Sequence, residues 1–340
     1  MRLIVPMGGR GTRLRPFSHT TPKPLLPLLG RPAIVHILDA FAGALGRPVD
    51  EAVFVLGPDA ASGVRDALAA ACDAHGLRAA FAVQPEPLGT AHAIACAGDA
   101  MDGEILTCWA DTLFTPDRGA APLASGDVDL VAWTVHVDDP RRFGVVARDE
   151  NGRIVRLIEK PTTAEWTETL IGAYYVREGA ALRTAVDDML ASGATGAGGE
   201  FQLTDAYDRL VQNGARMATA PAARWLDTGT LASYRQTVRA LLDAGEHETA
   251  ASGARGESVI VAPSYVHPDA DVRRSVIGPY AVVEAGAVIR DAVVRDSVVM
   301  REAIVRHSAL SGALLGDRAS ASGANGALVL GDDSEVHADG

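Results

Sequence analysis

Lysine is nearly missing from this sequence. Of 31 basic residues in 340, two are lysine: Lys23 in Pro-Lys-Pro and Lys160 in Glu-Lys-Pro. Acid is missing from the opening segment, where Arg2, Arg10, Arg13, Arg15, Lys23 and Arg31 all precede the first carboxylate, Asp39, although the chain carries a formal net charge of −12. The three cysteines, Cys72, Cys96 and Cys108, show no Cys-x-x-Cys spacing, which argues against a thiolate metal site and predicts reduced, buried thiols. Aromatic residues are only 5%, so the core must rest on small and β-branched side chains. No apolar run approaches the ~18 residues of a membrane span. The apolar run before Gly8 is also too short for a secretory signal, so a cytoplasmic location is expected. A net −12 counts against a general nucleic-acid binder, but not against a small anion held in a local cationic pocket.

What is present falls into two periodicities. From residue 1 to 243 short apolar runs alternate with amphipathic helical patterns: LIVPM (3–7) before 32–45, AVFVLG (52–57) before 59–76, AAFAVQ (79–84) before 90–97. EILTCWAD (104–111), 129–137, 144–149, 154–160 and 170–176 continue the strands, and 178–191, 200–213 and 231–244 the helices. Buried strands alternating with helices predict an α/β domain, a Rossmann-like three-layer arrangement around a mostly parallel sheet. Residues 244–258 are small and polar and read as a linker.

From 259 to 335 the period becomes six. Apolar residues recur at Val266 and Val272, at Ile277, Val283 and Ile289, and at Val299 and Val305, with Ala270, Ala281, Ala287, Ala303 and Ala309 four positions behind most of them. An apolar anchor and a small corner residue repeating every six predict a short left-handed parallel β-helix, of roughly four coils. Such a tail suits subunit packing or a regulator, so a homo-oligomer is expected.

Residues 8–24, GGRGTRLRPFSHTTPKP, put a glycine-rich turn after the first strand, the usual place for phosphate binding through backbone N–H groups. A Walker loop is excluded because proline follows both lysines; a dinucleotide fingerprint is excluded because Leu14 stands where the third glycine belongs and VFVLGP (53–58) ends without an acid. The remaining reading is Gly-Gly-x-Gly-Thr-Arg-Leu-x-Pro followed by Pro-Lys-Pro. That signature, with QPEPLGTAHAI (84–94), CWADTLF (108–114), FGVV (143–146), EKP (159–161), GAYYV (172–176), GEFQLTDA (199–206), WLDTG (225–229) and the hexapeptide tail, resembles the sugar-1-phosphate nucleotidyltransferases. It is particularly similar to glucose-1-phosphate thymidylyltransferases and UTP-using relatives.

The resemblance implies that a nucleoside triphosphate and a sugar 1-phosphate are joined with release of pyrophosphate. The nucleophile is a phosphate oxygen already ionised at neutral pH, so catalysis is positioning and charge stabilisation, without a general base. It implies that Gly8, Gly9, Gly11, Thr12 and Arg13 hold the triphosphate, Arg13 on the departing part. Lys23 would lie across the reacting centre and Lys160 on the sugar phosphate. Asp111 and Asp227 would bind Mg2+ as oxygen ligands at the carboxyl ends of strands. By the same resemblance Gln84 would read the O4/N3 edge shared by thymine and uracil, with Leu88 and Gly89 packing near the base, and Gly144, Glu159 and Gly172 would approach the hexose. Ala110-Asp111-Thr112 departs from the Gly-Asp-Asn or Gly-Asp-Asp of many relatives, which leaves glucose as a default. His92 is read as a packing residue, and Glu200 equally as a helix cap or a site residue. Two alternatives stay open: a non-catalytic sensor of the same fold, and a bifunctional uridylyltransferase and hexapeptide acyltransferase, for which the tail offers His267 and His307.

Overall fold

The computed structural model describes residues 1–9, 11–44, 47–117, 127–245, 253–255 and 257–338. The chain forms two compact units, one of Met1–Arg10 with Ile34–Leu226 and one of Gly11–Ala33 with Asp227–Gly340.

In chain order the elements up to the tail are β1 (Arg2–Pro6), the hairpin β2 (Pro27–Leu28) and β3 (Arg31–Pro32), α1 (Ala33–Ala44), β4 (Glu51–Leu56), α2 (Ser62–Asp73), β5 (Arg78–Val83), α3 (Thr90–Ala95), β6 (Ile105–Cys108), β7 (Thr112–Pro116), β8 (Leu130–His136), β9 (Gly144–Arg148), β10 (Ile154–Glu159), β11 (Glu168–Val176), α4 (Gly179–Ser192), α5 (Leu203–Gln212), β12 (Met217–Asp227) and α6 (Leu231–Asp243).

The first unit is built on a 10-stranded sheet running β5-β4-β1-β6-β11-β8-β12-β7, with β9 pairing β11 and β10 pairing β9. The stretch β5-β4-β1-β6 is parallel, in the register Ala80–Val53–Ile4–Thr107. β1, β4 and β6 read as near-continuous apolar runs because both faces are covered, while β5 at the edge is only half-buried. From β1 the chain moves outward through β4 and β5, then returns to place β6 on the other side of β1. That reversal opens a crevice at the carboxyl ends of β1 and β6.

Beyond it β11 runs antiparallel to β6, β8 and β9. No α-helix intervenes between β9, β10 and β11, and strands joined by short loops pair antiparallel. Helix α5 buries Leu203, Ala206, Tyr207 and Leu210, one face at helical spacing. Tyr207 stacks on Tyr174 of β11 with ring centroids 4.3 Å apart and shares a 2.7 Å hydrogen bond with Thr107 of β6. Cys72 and Cys108 are buried and Cys96 is half-buried; all three are free thiols. Burial pushes the Cys72 thiol up to about 11, which keeps it protonated at neutral pH.

In the second unit the tail is a parallel β-helix of three stacked sheets, two of 5 strands and one of 6. Strand partners Val259, Val276, Val293, Ala309 and Asn325 make five rungs, one more than the repeat count predicts. Their spacing is 17 residues and then 16, short of three full hexads. This is why the run of six breaks once per coil. Ile277, Val283, Ile289, Val294, Val299 and Val305 fill the interior, with Ala281, Ala287 and Ala303 fully buried at the corners. One corner differs from the expected pattern: Ala309 points outward, and Ser308 is buried in its place, donating to the Arg306 carbonyl and accepting the Ala324 amide. A hydroxyl there satisfies a corner N–H that alanine would leave unpaired. Ser275 serves the Ala292 amide and Ser297 the Ala313 amide in the same way.

Helix α6 is capped by a reciprocal Thr230–Ser233 box. It lies on this tail through Arg235 and Arg239, which pair with Asp296 at 2.9 and 3.2 Å. The Arg239 guanidinium also lies 4.2 Å from the centroid of the Tyr280 ring.

Candidate active site

Each sequence-predicted site residue falls in one of the two units. The first carries Gly8, Gly9, Gln84, Gly89, Asp111, Gly144, Glu159, Lys160 and Gly172; the second carries Gly11, Thr12, Arg13, Lys23 and Asp227.

In the first unit Gly8 and Gly9 follow β1, Gln84 follows β5, and Asp111 follows β6, all at the carboxyl edge of the parallel strands. Gly8, Gln84 and Gly89 come together. The Gln84 side chain is 6% exposed, and its Nε2 donates to the Gly89 carbonyl at 3.1 Å. A Cβ on Gly8 would lie 2.4 Å from Gln84 Oε1, so only glycine lets the amide sit against this turn. Gly89 has φ 126°, and a Cβ there would meet the Phe201 carbonyl at 2.5 Å. The 87–91 loop is in fact sewn to the segment before α5: Ala91 N–H donates to Phe201 O, Phe201 N–H to Leu88 O, and Leu203 N–H to Thr90 Oγ1, each at 2.9 Å.

His92 proves to be more than packing. Its Nδ1 donates to the Glu86 carbonyl at 3.0 Å, tying α3 to the loop before it, and the ring lies against the Gln84 amide without a hydrogen bond to it. Glu200 does not cap α5; its carboxylate accepts from Gln202 Nε2 at 3.2 Å.

A second cluster gathers Gly144, Glu159 and Lys160. Thr204 Oγ1 donates to Glu159 Oε2 at 2.7 Å, and a Cβ on Gly144 would lie 3.1 Å from that same oxygen. Lys160 Nζ is 3.8 Å from Glu159 Oε1. Lys160 has φ 48°, and its N–H donates to the Phe143 carbonyl at 2.9 Å. A lysine in the left-handed region is held there by its surroundings, a common trait of binding positions. The Phe143 ring packs edge-on to Trp225 with centroids 5.2 Å apart.

Gly172 lies where the pairing of β11 with β8 shifts register between Leu170 and Tyr174. Its φ is 84° and it accepts the Trp109 amide at 2.9 Å. Thr112 Oγ1 donates to the Ile171 carbonyl at 2.9 Å, so the bulge fastens both ends of Trp109-Ala110-Asp111-Thr112. Burial raises the pKa of the Cys108 thiol, and the charge of Asp111 adds to the rise.

In the second unit Thr12–Leu14 and Lys23–Leu25 each form a short 3-10 turn. Gly11 has φ 60°, and a Cβ on it would sit 3.4 Å from Lys23 Cε. Ser18 Oγ donates to the Gly11 carbonyl at 2.6 Å, closing the loop around Gly11 and Lys23. Asp227 ends β12; its Oδ1 accepts the Gly229 N–H at 2.8 Å, and its carbonyl accepts Thr237 Oγ1 at 2.9 Å.

In the first unit the Gly8-Gly9 turn after β1 and Asp111 after β6 stand at a topological switch point, the place where open α/β sheets bind ligands. The family model described as nucleotidyl transferase matches residues 3–244. The chain belongs to the nucleotidyl transferase family. This nucleotidyl transferase is 30% identical over 312 residues to the glucose-1-phosphate thymidylyltransferase of Streptomyces antibioticus, covering 83% of this chain and 82% of that one. It is 33% identical over 307 residues to the bifunctional protein GlmU of Sorangium cellulosum, covering 84% of this chain but 59% of that longer protein. Among solved structures, a UDP-glucose pyrophosphorylase complexed with UDP-glucose shares the fold, with a TM-score of 0.58 at 18% identity over 72% of this chain and 98% of that one.

Among the described residues no group of three or more His, Cys, Asp or Glu side chains is placed to hold a metal ion. No helix among them is long and apolar enough to cross a membrane. The hydrogen bonds of Thr204 to Glu159 and of His92 to the Glu86 carbonyl are what sequence reading missed. The GEFQLTDA and GTAHAI motifs contain both residues, but nothing in those strings says which group each one bonds.

Proposed function

We propose that this enzyme joins a pyrimidine nucleoside triphosphate, dTTP or UTP, to a hexose 1-phosphate, with glucose 1-phosphate the first candidate, and releases pyrophosphate. The observation that carries the reading is the buried Gln84 amide, held between Gly8 and Gly89. An amide offers a donor and an acceptor side by side, which matches the O4/N3–H edge of thymine or uracil. The similarity to a protein named glucose-1-phosphate thymidylyltransferase supports the same choice of substrates.

In the proposed reaction a phosphate oxygen of the sugar 1-phosphate attacks the α-phosphorus in line. A phosphorus–oxygen bond forms, the bond to the β-phosphate breaks, and pyrophosphate leaves. Gly8, Gly9, Gly11 and Thr12 present backbone N–H groups to the triphosphate. Arg13 lies on its departing part, Lys23 across the reacting centre and Lys160 on the sugar phosphate. Glu159, kept in place by Thr204, accepts hydroxyl hydrogen bonds from the sugar beside Gly144 and Gly172. Asp111 and Asp227 would hold Mg2+. Two carboxylates with substrate phosphates completing the shell suit this ion, which when bound would neutralise phosphate charge.

Pyrophosphate release across dTTP, UTP, GTP, ATP and CTP against glucose, N-acetylglucosamine, mannose and galactose 1-phosphates tests the proposal. Activity confined to dTTP or UTP with one hexose, and lost with EDTA, is the expected result. Preference for a purine nucleotide overturns the role of Gln84; silence from folded protein favours the sensor reading. Gln84→Leu is expected to lower kcat/KM for the preferred nucleotide by about 10- to 100-fold, the effect of losing one or two buried hydrogen bonds. The KM for sugar phosphate should stay unchanged.

We extend the proposal to a homo-oligomer. Val259 and Val261 are exposed at 49% and 37% on the tail, and Val259 stacks in register with Val276 and Val293 to form an outward apolar column. Light scattering is expected to give a mass above one chain, and Val259→Asp to lower it.

A further inference from the structure

Within the second unit, the segment that carries Gly11, Thr12, Arg13 and Lys23 ends in the hairpin β2–β3. Its two central residues, Leu29 and Gly30, have φ of 53° and 81°, the positive values a two-residue turn needs. The tip of this turn rests against the β-helix. Gly30 N–H donates to Glu284 Oε1 at 3.0 Å, and a Cβ on Gly30 would lie 2.1 Å from the Tyr265 hydroxyl. Tyr234 of α6 donates its hydroxyl to the Pro27 carbonyl. Further back, Thr20 is hydrogen-bonded to Asp332, and a Cβ on Gly331 would meet Pro16 at 2.8 Å. Asp332 in turn accepts the Asp317 amide at 2.9 Å, and Asp317 pairs with Arg301 at 2.8 Å. Glu284 follows the inward-facing Val283 and is itself buried, an unusual state for a carboxylate.

We propose that Glu284 is a positioning residue for the nucleotide: by accepting the Gly30 amide it anchors the β2–β3 hairpin to the β-helix and so sets the loop from Gly11 to Lys23. The inference rests on the proposed function in taking that loop as the triphosphate site. Lys23–Leu25 runs directly into the hairpin, and the Lys23 carbonyl accepts the Leu26 amide at 3.1 Å, so only three residues of ordered chain separate the lysine from the anchored strand. The tail is then a working part of the nucleotide site. The groups whose charge acts on Glu284 are Arg301, which favours the carboxylate, and Asp317, which opposes it; Tyr234 and Tyr265 face its charge from α6 and the neighbouring rung.

The test compares the full-length wild type with Glu284→Gln, which keeps an acceptor for Gly30, and Glu284→Leu, which removes it. Glu284→Leu is expected to raise the nucleotide KM about tenfold, with the sugar-phosphate KM within about twofold, and Glu284→Gln to restore wild-type values. Hydrogen exchange of the substrate-free proteins should show faster exchange at residues 11–33 in Glu284→Leu than in Glu284→Gln. Unchanged nucleotide KM and exchange in Glu284→Leu overturn the proposal, as do equal rises in both KM values or exchange that quickens uniformly along the chain. A wild type that turns over no nucleotide refutes the proposed function instead, and the exchange difference still decides whether Glu284 sets the loop.

Discussion

Replacing Lys23 by methionine is expected to lower kcat/KM for the nucleotide by about 10²- to 10³-fold, the usual cost of removing one fixed charge from a preorganised phosphoryl-transfer site. Methionine keeps the unbranched stem and removes only the ammonium. The backbone there is rigid before any ligand arrives: Pro22 and Pro24 flank the lysine, and the 3-10 turn Lys23–Leu25 closes on the Pro22 carbonyl with a 2.9 Å bond from Leu25. Little ordering is therefore left to pay for on binding. Lys23→Arg should not restore activity. The lysine stem packs close to the space above Gly11, and the planar fork of arginine needs more width than a compact ammonium. Pyrophosphate release together with an unchanged circular dichroism spectrum checks both variants. A Lys23→Met enzyme within tenfold of wild type would move the main phosphate charge to Arg13 or Lys160.

Gly172→Ala is expected to be the most damaging single methyl group in the first unit. A Cβ at this residue would lie 1.8 Å from Trp109 Cδ1 and 2.4 Å from its Nε1, on a backbone whose φ of 84° disfavours any L side chain. The indole cannot retreat freely, because Trp109 N–H is bonded to the Gly172 carbonyl and Thr112 to the Ile171 carbonyl. Positive φ and overpacking each cost about 1–3 kcal/mol, so a loss of about 3–5 kcal/mol is expected in urea unfolding. Movement of Trp109 would carry Asp111 with it, and Mg2+-dependent turnover should fall further than stability alone explains. Unfolding within 1 kcal/mol of wild type would show that the bulge can absorb the methyl group.

A third expectation concerns pH. Burial pushes the Glu284 carboxyl up to about 7 from its ordinary 4.5; Gly30 N–H and Arg301 oppose the rise and Asp317 adds to it. The native state therefore holds this proton more tightly than the unfolded chain. The stability it contributes is complete below about pH 4.5 and is lost as pH rises through about 7. Glu284→Gln should flatten the stability profile across that window and be the more stable protein at pH 8, by at most an amount on the order of 3 kcal/mol. Urea midpoints at several pH values measure it.

The elements were legible in the sequence because period encodes burial. Residues 200–213 read as a helix, and α5 buries one face of that stretch; the hexads read as a coil, and Ile277, Val283 and Ile289 line its interior. The bulge at Gly172 was not legible, since it depends on β6 and β8 meeting β11 in different registers, a property of three distant segments. Thr204 and Glu159 lie 45 residues apart, and their bond follows from packing α5 on β10. Ser308 takes the corner in place of Ala309 because the inward residues on either side, Val305 and Leu310, are five positions apart and not six, which no single hexad reveals.

By itself the sequence determined the α/β sheet, the coiled tail, and the membership of Gly8, Gln84, Asp111, Glu159 and Lys160 in recognisable motifs. Those are local facts, written in spacing and residue type. Only the tertiary structure decided that the Gln84 amide bonds the Gly89 carbonyl, that Thr204 orients Glu159, and that the hairpin following the loop from Gly11 to Lys23 packs with the β-helix through Gly30 and Glu284. A lone glutamate within an aliphatic repeat carries no signal of its partner. Its hydrogen bond spans 254 residues, and chain folding alone brings such groups together.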